Sequence, residues 1–96
     1  MDVRDLSALP GAELVLAGLR DLEQGQESVA ALLVLVGAPR LRSLGVAVPA
    51  GDYASSPEHR LYALLQSEDA ATAHSRYNAL VRRLVSFERA LACVSA

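Results

Sequence analysis

The sequence predicts an all-α fold: a compact bundle of four main helices plus one short helix, closed by a long C-terminal helix. Three observations carry that expectation. Ala70, Ala73, Tyr77, Leu80, Leu84, Phe87, Leu91 and Val94 recur at alternating steps of three and four, so they share one face of a helix. Ser56-Pro57-Glu58 reads as a helix start, with a capping hydroxyl, a proline at the first position and an acid in the first turn. Finally, the one segment that could be a buried strand has no convincing partner.

The elements follow in order. Residues 1–9 mix charge with Val3, Leu6 and Leu9 and predict a lead-in or a short first turn. Ser7 is a candidate N-cap, and Pro10 suits a first helical position because its missing N–H would be unpaired there. The first main helix, residues 12–24, places Leu14, Val15, Gly18, Leu19 and Leu22 inward and Glu13, Arg20 and Gln24 outward. Gly25 stops it. Gly18 costs about 1 kcal/mol relative to alanine inside a helix, a cost that close approach by a neighbouring helix would justify.

Residues 27–36 are apolar on every side from Val29 to Val36 and belong at the centre of the fold, whatever their conformation. A buried strand fits the length and the valines. A buried helix fits the Ala and Leu content and a Ser28 cap, and periodicity alone does not separate the two. The helix is the preferred reading, because Val46-Ala47-Val48 is the one candidate partner strand and Pro49 cuts it short. A short helix over residues 39–44 ends at Gly45, and residues 46–56 form the longest irregular stretch. The third main helix, residues 57–66, turns Leu61, Leu64 and Leu65 inward with Tyr62 on its flank. Glu68-Asp69 then breaks it and caps the last helix, residues 70–93, on which Val81 and Val85 widen the apolar arc. That arc is broader than a two-stranded zipper needs and suits a bundle.

Composition bounds the function classes. At 96 residues the chain supports one domain with a modest core, 52% of it hydrophobic and 4% aromatic, so Leu, Ala and Val fill the interior. Lys and Ile are absent, which fits a GC-rich bacterial coding sequence. A net charge of −2 gives no field that would draw the whole molecule onto nucleic acid. The charge is unevenly spread, with acids concentrated before residue 28 and Arg76, Arg82, Arg83 and Arg89 on the last helix; Asp21, Glu23 and Glu27 are natural partners for those arginines. One cysteine, Cys93, excludes an intrachain disulfide. The start lacks a signal-peptide profile, and the longest apolar run falls far short of the ~20 residues that span a bilayer. The expectation is a soluble, cytoplasmic protein without a membrane partner.

Chemistry-bearing patterns are few. His59-Arg60-Leu61-Tyr62 and His74-Ser75-Arg76-Tyr77 each set a histidine and a tyrosine one helical turn apart. Convergence of all four would permit an enzyme reading; packing of each ring at the core edge is the plainer one. Two histidines and a distant cysteine do not make a zinc spacing, and no metal or cofactor is expected. The serines lack an elbow and the glycines form no phosphate-cradling loop, so no catalytic residue is assigned.

The sequence therefore predicts a non-catalytic module that binds itself, as a homodimer, or another protein. Candidate interface residues are Tyr77, Leu80, Leu84, Phe87 and Leu91, with Arg76, Arg83 and Arg89 at the rim; alternatively the same apolar residues are monomer core. A second class is a nucleic-acid-associated regulator, antitoxin- or repressor-like, contacting phosphate through Arg40, Arg42, Arg82 and Arg83. Its helix-turn-helix outline over residues 32–46 is poor, because the second helix is short and offers no Asn, Gln or Lys to read bases.

Overall fold

A computed structural model describes the backbone of residues 3–49 and 56–95 and the side chains of residues 6–49 and 56–94. A 3₁₀ turn, Val3–Ala8, leads into five α-helices: α1 (Ala12–Glu23), α2 (Val29–Val36), α3 (Ala38–Ser43), α4 (Pro57–Glu68) and α5 (Ala73–Ser95). No strand occurs among the described residues. The middle of the expected irregular stretch, residues 50–55, lies outside them.

Helix α2 is the centre. It packs against α1, α4, α5 and α3, and Ala31, Leu32, Leu33, Val34 and Leu35 are buried in unbroken succession. A helix covered on all sides needs no amphipathic period, which is why periodicity could not identify it. Its ends settle the matter locally. Ser28 Oγ accepts the Ala31 N–H at 3.1 Å, while the Ser28 hydroxyl donates to Asp21 Oδ2 on α1 at 2.5 Å. The cap thus satisfies one of the orphan amides of α2 and ties its start to α1. Ser28→Ala removes both bonds and is expected to cost about 1 kcal/mol; an unchanged midpoint in urea denaturation would contradict the cap.

Helix α1 starts at Ala12 as expected, but its cap differs from expectation. Ser7 lies within the 3₁₀ turn, and α1 begins at Ala12 with Gly11 as its N-cap, in the left-handed region at φ 77°. Tertiary packing decided this. A Cβ on Gly11 would lie 2.6 Å from the Arg83 carbonyl oxygen of α5, so only glycine allows the two backbones to meet there. At its other end α1 closes with a Schellman pair: Gln26 N–H to Asp21 O at 2.8 Å and Gly25 N–H to Leu22 O at 3.1 Å. Helix α3 closes in the same way, with Val46 N–H on Leu41 O at 2.9 Å and Gly45 N–H on Arg42 O at 3.0 Å. Val46 and Leu41 are both buried, the apolar contact that accompanies this motif, so Val46 ends a helix and does not open a strand.

Ser56 caps α4 as the sequence suggests, accepting the His59 N–H at 3.0 Å. The last helix starts three residues later than expected. Asp69 is the C-cap of α4, and its Oδ1 accepts the Ala71 N–H at 3.1 Å in an Asx turn that occupies residues 69–72. Ala70 is therefore an exposed turn residue. At the far end Val94 is 51% exposed, so the inward seam of α5 runs only from Ala73 to Leu91.

Candidate functional site

The apolar candidates on α5 divide into two groups. Leu84 (3% exposed), Phe87 (0%) and Leu91 (3%) are closed off within a single chain, so they serve as core and not as open surface. Tyr77 and Leu80 occupy the same inward arc two turns and one turn before Leu84, yet both remain half-buried. The reason lies in what faces them. The buried side chains of α4, Leu61 and Leu65, are two among twelve residues, and its flank presents Tyr62, which is itself half-buried.

Rings gather there. Tyr62 stands 5.6 Å from Tyr77 and 6.4 Å from His74 between ring centroids, with interplanar angles of 58° and 63°. Such tilted, edge-on aromatic pairs contribute about 0.5–1.5 kcal/mol beyond area burial and join α4 to α5 at this point. His74 Nε2 lies 3.2 Å from Asn78 Nδ2, one turn along α5. Burial pushes the Tyr77 hydroxyl above its ordinary pKa of 10.0, and the Glu58 carboxylate adds to that shift. Three of the four residues in the His–Tyr pattern thus come together. His59 is exposed on the first turn of α4 and enters neither ring pair. The sequence reading missed Glu58 and Asn78 as members of the cluster. Their four-residue offsets from Tyr62 and His74 were the available signal.

The arginines find different partners from those expected. Arg83 pairs with Glu13 of α1, Arg76 with Glu68 of α4 at 2.9 Å, and Arg60 with Glu27. Asp21 is taken by Ser28. The Arg76 and Arg83 pairs are largely exposed, so each contributes about 0–1 kcal/mol and orients side chains more than it stabilises the fold. Arg42 donates to the Val48 and Pro49 carbonyls at 3.2 and 3.4 Å, whereas Arg40 acts on Glu88 of α5. The four arginines proposed for phosphate contact are consequently not one patch: Arg42 and Arg83 are engaged within the fold. Of those four, Arg82 lies exposed on the outward row of α5, which also carries Ser75, Ala79, Ser86, Cys93 and the rim candidate Arg89. No ion pair involves Arg82 or Arg89 among the described residues.

Glu88 has a second neighbour. A Cβ on Gly37, at the α2–α3 corner, would lie 3.1 Å from Glu88 Oε2 and 2.9 Å from Leu84 Cδ2, so α5 presses on that corner. Burial raises the Glu88 carboxyl pKa above its ordinary 4.5, and Arg40 offsets part of the rise. A raised folded-state pKa means that the folded chain holds this proton more tightly than the unfolded one. Its stabilising effect is therefore present below pH 4.5 and is lost as pH climbs through the folded-state value. Glu88→Gln should accordingly raise the melting temperature at pH 7 relative to its effect at pH 4. An equal effect at both values would mean that the charge is not desolvated.

A groove of about 240 Å³ opens between the α2–α3 corner and the first turn of α4, with Val36, Ala38, Pro39 and Pro57 among its apolar walls and Arg42 and Glu58 among its charged ones. No group of three or more His, Cys, Asp or Glu that could hold a metal ion occurs among the described residues. No helix among them is long and apolar enough to cross a membrane. In comparisons with protein families, curated proteins and solved structures, nothing matches this chain.

Proposed function

We propose that this chain is a non-catalytic helical module that associates with a second copy of itself, or with another protein, through the α4–α5 hairpin. The observation that carries the reading is the half-exposure of Tyr77 and Leu80 on the inward seam, whose other members from Ala73 to Leu91, namely Ala73, Leu84, Phe87 and Leu91, are buried. Tyr62 extends that surface and Arg76 borders it, and aromatic residues and arginine are the types enriched at protein interfaces. The proposed contact set is Tyr62, Tyr77 and Leu80 with Arg76, in place of the five-residue seam that the sequence suggested.

The association is weak and reversible on this reading. The accessible surface of 5520 Å² is close to the roughly 5,300 Å² expected for a folded monomer of this mass. Obligate dimers leave large apolar faces open on the separated subunit, whereas among the described residues Val94 is the one large hydrophobic side chain that is exposed. Light scattering after size exclusion, over a range of protein concentrations, tests the proposal. A mass that rises above the monomer with concentration, and returns to it in Tyr77→Glu but not in Ala79→Glu, is the expected result. A wild-type monomer at every concentration, with no partner captured through these residues, overturns it.

A second reading is favoured by one specific observation, the pair Arg82 and Arg89 two turns apart on a solvent-facing row that carries no acid. It assigns that row to a phosphate backbone. Binding to random duplex DNA would then be visible at about 50 mM salt and would weaken steeply as salt rises. No binding at low salt removes it.

A further inference from the structure

We draw no further inference here: the strongest candidate, the apolar groove between the α2–α3 corner and the first turn of α4, bordered by Arg42 and Glu58, carries nothing because nothing in the structure shows what covers it.

Discussion

Leu84→Asp is expected to unfold the chain, not to release a folded monomer. Leu84 is 3% exposed and lies against Gly37 at the corner where α2 meets α3. A carboxylate there has no cationic partner within the core, so it must be desolvated unpaired or protonated, at a cost of several kcal/mol. The leucine packing is lost as well, worth about 2–5 kcal/mol on truncation. A domain of this size holds roughly 5–15 kcal/mol in total, so the sum reaches the limit. Loss of the helical circular-dichroism signal at 25 °C is the readout. Leu84→Ala and Phe87→Ala provide graded controls, with expected losses of about 2–5 and 3–5 kcal/mol. A folded, monomeric Leu84→Asp variant would instead place Leu84 on a surface and restore the wider interface that the sequence allowed.

Gly18→Ala is the second large expectation, and its sign is the informative part. In an exposed helix interior this change stabilises by roughly 0.5–1 kcal/mol, because alanine loses less backbone entropy. Here the new methyl would meet the Ala30 carbonyl of α2 and lie 2.5 Å from Val34 Cγ2. Overpacking against a backbone atom costs about 1–3 kcal/mol, so the net effect is a loss. Each kcal/mol moves the melting temperature of a domain this small by roughly 4–8 °C. Gly18→Val adds two further methyl groups at the same contact and is expected to abolish folding. A rise in melting temperature for Gly18→Ala would show that α1 and α2 do not approach this closely.

Much of the architecture was legible because it is written in short-range chemistry. The Ser28 and Ser56 caps, the glycine stops after α1 and α3 and the proline start of α4 each act within a few residues, and each appears where the residue types place it. Positions that answer to distant neighbours were less legible. Gly11 caps α1 because the α5 backbone lies against it, a contact seventy-two residues away in sequence and invisible to local pattern. The ion pairs of Arg83 and Arg76 likewise depend on which helices lie side by side. Acid-rich and arginine-rich segments could be matched in bulk from sequence, but not residue by residue.

By itself, the sequence determined an all-helical chain with an apolar central segment and a long amphipathic last helix, because periodicity and capping are properties of single elements. Tertiary structure alone decided which part of that last helix is interior. Leu84, Phe87 and Leu91 are buried, with Leu84 against Gly37 at the α2–α3 corner and Phe87 against Gly11 before α1, whereas Tyr77, beside Tyr62 of α4, and Leu80 are only half-buried. An apolar side chain carries the same tendency to leave water wherever it sits. Whether another part of the chain is there to cover it depends on how the helices pack, and that geometry separates core from candidate interface in this protein.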